Sequence, residues 1–123
     1  MATRTPPIGV PLIFVPLLIA GQRTADVTGI VRFKLPAATK LIGVQASARA
    51  SGGTTPTLAV DVLAGGTSVL AAPIAVTAGA VAEGAVAGNG HVADESVITV
   101  DLDIGGTNPT WDDICIGLTL VRR

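Results

Sequence analysis

The only histidine of the chain, His91, lies close in sequence to Asp94 and Ser96, which are the residue types of a hydrolytic triad. A triad is assembled from separate elements around an exposed nucleophile, whereas these three residues share one short stretch. No nucleophile elbow or second basic partner accompanies them. The pattern favours a solvated loop histidine, so we expect no catalytic residue and predict that the chain is not an enzyme.

Three aspartates could bind a calcium ion. Asp101 and Asp103 are two residues apart, which places both on one face of a strand, and Asp61 could lie nearby. The spaced oxygen ligands of a calcium loop are missing, however. The pattern is more typical of the solvated side of a strand, and we predict neither a metal nor a cofactor.

A glycine pair follows this acidic stretch. The run Asp103–Asn108 reads DIGGTN and looks like the phosphate loop of hexokinase-type sugar kinases, where backbone amides approach a phosphate. That fold needs a much longer α/β chain, and here Pro109 follows at once. A turn at Gly105 and Gly106 that ends a strand is the favoured interpretation.

Cys115 and Trp111 are each the only residue of their type. A single cysteine excludes an intrachain disulfide, and Cys115 lies in an alternating apolar segment, as expected for an inert small side chain. Trp111 stands at the entrance of a candidate strand. It is interpreted as a core residue, with a subunit contact or a sugar-stacking platform as the alternatives.

Composition narrows the possible partners. The chain of 123 residues fits one domain, carries a net charge of −1, and contains no tyrosine. It therefore lacks both the positive charge and the aromatic side chains that nucleic-acid binding requires. The apolar run from Ile8 to Ala20 is interrupted by two prolines and is too short for a membrane-spanning helix, which needs about 20 residues. No nucleic acid and no membrane partner are expected.

Apolar and polar residues alternate along most of the chain, which indicates β-strands. Ile98, Val100, Leu102 and Ile104, for example, fall on one face. The alternation and the intervening turn residues predict an all-β fold: an antiparallel, jelly-roll-like β-sandwich of about eight strands with an extended N-terminal arm. The predicted strands are 11–20, 27–35, 40–50, 57–64, 67–72, 74–82, 96–104 and 113–121, with a tight hairpin at 65–66.

The outward faces of these strands are unusually small and neutral. Only 14% of the residues are charged, whereas about a quarter is usual, so part of the surface is expected to be covered by a partner. Residues 1–25 are interpreted as an apolar arm or a first strand, and residues 26–123 as the sandwich. The candidate interface residues are Val10, Leu12, Phe14, Val15, Leu17 and Trp111.

The order of several short segments resembles small β-sandwich virion proteins of tailed bacteriophages, of the head-decoration or head- and tail-fibre type. These segments are Phe33–Pro36, Leu41–Val44, Thr55–Val62, Gly66–Leu70, Ala72–Ile74, Val100–Thr107 and Ile116–Arg122. The resemblance implies a non-enzymatic structural protein of the virion, commonly a homotrimer, and carries no catalytic residues.

On this basis we expect a capsid decoration or cement protein that stabilises the head by packing between subunits. Its partners would be other copies of itself and the major capsid protein or another virion protein, and its location the capsid surface. The alternative is a receptor- or carbohydrate-binding module of a head or tail fibre.

Overall fold

The structure, a computed structural model, describes residues 12–122. Within this range all regular elements are strands, every pairing is antiparallel, and no helix long and apolar enough to cross a membrane occurs. The strands are β1 (Leu12–Arg23), β2 (Val27–Lys34), β3 (Thr39–Ala64), β4 (Thr67–Ser68), β5 (Ile74–Ala75), β6 (Val81–Gly84), β7 (His91–Val92) and β8 (Val97–Arg122). The expectation of an all-β antiparallel fold with about eight strands is confirmed.

Strands β3 and β8 are the two long central strands of the sheet. Each has 26 residues, and they pair from Thr39 opposite Arg122 to Ala64 opposite Ile98. The sequence predicted that turns would divide each of them in two. Instead the ladder continues through the middle with register shifts between Gly52 and Thr57, which are irregularities that bend a strand.

Close contact between the two backbones explains why glycines stand at this bend. A Cβ on Gly106, whose φ is +112°, would lie 2.6 Å from the carbonyl oxygen of Thr55. A Cβ on Gly53, whose φ is +98°, would meet the carbonyl oxygens of Thr107 and Asn108. Glycine is needed because the conformation is left-handed and because no side chain fits between the strands. The glycines predicted as a turn therefore bend a continuous strand pair.

The bend divides the sheet into two parts. The first half-sheet consists of β1, residues 111–122 of β8, residues 39–51 of β3, and the short strands β6 and β7. The second half-sheet consists of β2, residues 97–105 of β8, residues 57–64 of β3, and β4 and β5. Strands β1 and β2 are therefore both edge strands beside β8, one in each half-sheet.

The core lies on one face of both half-sheets. Buried side chains alternate along the strands, as with Ile114, Ile116 and Leu118 in the first half-sheet and Val60 and Val62 in the second, and they belong to a single cluster. All eight strands are hydrogen-bonded into one sheet. The finer sandwich and jelly-roll descriptions stay predictions.

The shorter segments differ in their bounds from the sequence prediction. The hairpin is confirmed: Gly65 and Gly66 have φ of +59° and +86°, and Ala64 pairs with Thr67. Beyond it, the predicted strand 67–72 is reduced to β4 and a single bridge from Leu70 to Val86. The predicted strand 74–82 is divided into β5 and β6, because residues 76–80 form a turn between them. Small side chains and glycine offer little packing that would hold this stretch in a longer ladder.

Candidate functional site

Two of the three aspartates considered for a metal site accept hydrogen bonds within the chain. Asp61 and Asp101 lie directly opposite each other on β3 and β8. The hydroxyl of Ser68 donates to Asp61 at 2.6 Å, and the backbone N–H of Gly29 donates to Asp101 at 2.7 Å. Asp103 is exposed. Residues 12–122 contain no group of three or more acidic, histidine or cysteine side chains placed to hold a metal.

The other polar candidates are also part of the β-structure. Gly105 and Gly106 belong to β8, and their backbone faces β3, where Gly105 pairs with Thr57. His91 belongs to β7 and pairs with Lys40, and its backbone N–H donates to the side chain of Asn89 at 2.9 Å. His91 and Asn89 line an open pocket of about 260 Å³, but Asp94 and Ser96 are not among the residues that line it.

Trp111 is a core residue. Its side chain is 2% exposed, in agreement with the first interpretation from sequence. Its place among the candidate interface residues is therefore corrected, because a side chain buried in its own chain has no surface left for another subunit. The same burial means that the Trp111 ring is not available to stack on a sugar.

The outer face of the first half-sheet is the most unusual surface of the described chain. The side chains of β1 alternate, so Leu12, Phe14 and Leu18 point outward and are 65%, 53% and 67% exposed. Val15 and Leu17 point to the other side and are partly buried against the core. The interface residues expected from sequence therefore come from both sides of β1. Leu18 is not among them, although the period of two places it on the same side as Leu12 and Phe14. Val10 lies outside the described residues.

The centre of this outer face is flat and neutral. Opposite Phe14, Pro16 and Leu18, strand β8 presents Thr119, Gly117 and Cys115. The ring of Phe14 covers Gly117, where an added Cβ would lie 2.6 Å from the ring carbon Cζ. The next strand, β3, continues the rows with Gly43, Gln45 and Ser47. Ile42 and Val81, 47% and 62% exposed, add apolar surface toward the far margin. Charged side chains stand only at the borders, at Lys40, Arg49, Glu83 and Asp113.

The second half-sheet has the opposite character. Its outward positions carry Arg32, Lys34, Asp61, Asp101 and Asp103, which is the charged pattern expected of a sheet face in water. The apolar face is therefore a property of the first half-sheet and not of the whole molecule. From here on, the "apolar face" is the outward surface of β1, β8 residues 115–121 and β3 residues 43–47, together with Ile42 and Val81.

A polar cluster fixes the end of β1 against this face. Asp113 has a φ of +52° and accepts hydrogen bonds from Arg49 Nε at 2.7 Å and from the backbone N–H of Gly21 at 2.9 Å. The hydrogen bond from Arg49, followed by that from Gly21, lowers the pKa of the Asp113 carboxyl. Gln22 adds a 3.3 Å hydrogen bond to Asp112. The cluster lies where the β1–β8 register shifts, and it holds the edge strand in place.

Geometry favours contact through the face of β1 over contact through its edge. Within the described chain β1 pairs only with β8, which leaves its other edge open. Pro16 has no N–H to donate in the middle of the strand, and proline is a common means of blocking edge-to-edge pairing. The outward side chains of Leu12 and Leu18, by contrast, are about two-thirds exposed and can pack against a partner.

The size of the apolar face sets the strength of contact it can support. The three strands of the apolar face, about 4.8 Å apart and over seven residues of about 3.4 Å each, give a flat area of roughly 340 Å². A standard interface buries about 800 Å² per partner. The apolar face alone thus provides about two-fifths of a standard interface, which suits repeated weak contacts in an assembly better than one tight dimer.

Comparison with known proteins adds no further constraint: no protein-family model matches the sequence, and a search of curated proteins found no similar sequence.

Proposed function

We propose that this chain is a non-enzymatic structural protein of a bacteriophage virion, a decoration or cement protein that packs against copies of itself and against a capsid subunit. The observation that carries the proposal is the apolar face, with Leu12, Phe14 and Leu18 each more than half exposed on one side of one strand. A patch of a few hundred Å² matches the largest apolar patch of a typical monomer, and such patches are often functional, which supports a contact role for this one. The sequence resemblance to small phage virion proteins supplies the biological setting.

The mechanism is passive. Burying the apolar face removes apolar area from water, at about 25 cal/mol for each Å², and the loss of translational freedom offsets part of this gain. A lattice repeats the same modest contact many times, so the assembled shell gains stability that no single pair of subunits has. The homotrimer that the resemblance implies would be the smallest assembly in which this contact is repeated.

The test is the native mass by light scattering of the wild-type protein and of Leu18→Asp. Leu18 is 67% exposed, so the aspartate changes the apolar face without disturbing the core. We expect the wild type to form a closed oligomer and Leu18→Asp to shift toward the monomer, while the two proteins have the same unfolding midpoint at a dilution where both are monomeric. The matched control is Thr28→Asp, an exposed position on edge strand β2 of the charged half-sheet, which should leave the mass unaltered.

A wild-type protein that is monomeric at every concentration would contradict self-association through this face. The virion assignment has its own test, which is mass spectrometry of particles purified from the phage that encodes the chain. The protein should be present in many copies per particle, and complete particles that lack it would refute the assignment.

A further inference from the structure

An apolar groove opens between the two half-sheets at the end where β1 begins. Its volume is about 490 Å³, within the range of 300–1,000 Å³ typical of binding pockets. Ile13 and Val15 of β1 line one side, and Phe33 and Leu35 line the other. This groove is distinct from the apolar face, because β1 points alternate side chains to opposite sides.

The groove exists because β1 and β2 are both edge strands and do not pair with each other. Core side chains on this side, including Ile13, Val15 and Phe33, are only partly buried. Thr39, 4% exposed, also lines the groove, and its Oγ1 is buried without a hydrogen-bond partner. A buried hydroxyl without a partner is uncommon in a finished core. These features indicate a core that is completed by an additional segment of chain.

The sequence offers such a segment in residues 1–11, which join β1 at Leu12, next to Ile13 in the groove wall. The segment contains two aliphatic side chains at alternate positions, Ile8 and Val10. Proline follows Val10, and a residue before proline is disfavoured from turning into the helical region. Further prolines at positions 6 and 7 restrict the chain in the same way.

An extended segment of eleven residues spans about 35 Å, which is long enough to reach a neighbouring copy. To enter the groove of its own chain the segment would have to reverse direction next to Leu12, where Pro11 disfavours the helical region for Val10 and strand β1 begins at once. We propose that Ile8 and Val10 of one copy occupy the groove between β1 and β2 of an adjacent copy. This inference rests on the proposed self-assembly. It adds a second contact to the apolar face, which alone provides about two-fifths of the area of a standard interface.

Disulfide trapping tests the proposal. In a Cys115→Ser background, one chain carries Val10→Cys and a second, with a tag of different length, carries Ala37→Cys, a position that lines the groove. After mixing and mild oxidation we expect a disulfide-linked dimer of the two chains. The matched control replaces Ala37→Cys with Thr67→Cys, an exposed position on β4 away from the groove.

A dimer yield equal to that of the Thr67→Cys control would overturn the proposal. So would a double variant, Val10→Cys with Ala37→Cys, that forms only a disulfide within one chain. Light scattering on the same samples distinguishes a failure of self-assembly from a failure of the groove contact alone. If the protein is monomeric throughout, self-assembly itself fails, whereas an oligomer without the specific disulfide refutes only the groove assignment.

A second measurement does not depend on cysteine chemistry. Val10→Asp places a charge on the segment outside residues 12–122, so the fold should be retained. We expect it to weaken association by about tenfold, the loss that corresponds to one buried valine. Unchanged association would contradict the proposal.

Discussion

Replacing Trp111 with alanine is expected to lower the free energy of unfolding by about 3–5 kcal/mol. The magnitude follows from burial: the side chain is 2% exposed, so nearly all of its apolar surface would be lost from the core and a cavity would be left behind. A domain of this kind has a total stability of about 5–15 kcal/mol, so the variant should be marginally folded. Trp111→Phe should be milder, because it keeps most of the ring volume and removes an indole N–H that is buried without a partner.

Urea unfolding followed by far-UV circular dichroism measures this prediction, and the wild-type tryptophan emission should be blue-shifted in the folded state. The result separates a core residue from an interface residue. An interface residue would change the native mass while leaving the unfolding midpoint of the dissociated chain where it was. If Trp111→Ala were as stable as the wild type and had lost only its association, the assignment of Trp111 to the core would be refuted.

Two further predictions concern the polar cluster and the bend. The hydrogen bond from Arg49 lowers the pKa of Asp113 in the folded state. The stabilisation from the ionised Asp113 is therefore fully present above the pKa of an aspartate in the unfolded chain, about 4, and is lost as the pH falls through the pKa in the folded state. Between pH 5 and pH 3, urea midpoints of the wild type should therefore fall more than those of Asp113→Asn, and equal losses would contradict the ion-pair argument. Gly106→Ala should cost ~2–5 kcal/mol in thermal or urea unfolding, since strain and a backbone clash add together. Gly66→Ala, which has a similarly positive φ but open space around it, should cost only ~1–2 kcal/mol, and equal costs would refute the close approach at the bend.

The strands could be predicted from sequence because the alternation of apolar and polar residues follows directly from burial on one face. Ile98 to Ile104 and Ile114 to Leu120 show the pattern, and both stretches bury those residues. The continuity of β3 and β8 could not be predicted in the same way. Glycine is favoured both in turns and in irregular strands, because it adopts a positive φ without strain. Whether the chain turns at Gly53 and Gly106 or continues as a strand depends on the backbone that lies opposite them, which the local sequence does not show.

The interface residues were predicted in part. Hydrophobicity alone selected Leu12 and Phe14 together with Val15 and Leu17, although alternate residues of a strand point to opposite sides. Applying the period of two would have separated the two pairs and added Leu18. The groove between β1 and β2 could not be predicted, because it depends on which strands form the edges of the sheet.

Alkylation of Cys115 as a function of protein concentration tests the central claim most directly. Cys115 is free, half-buried and placed on the apolar face between Leu18 and Ser47, so it reports on whether that face is covered. We predict that its alkylation rate falls as concentration rises in the wild type, whereas in Leu18→Asp the rate does not change with concentration. A rate independent of concentration, in a sample that light scattering shows to be oligomeric, would contradict assembly through the apolar face.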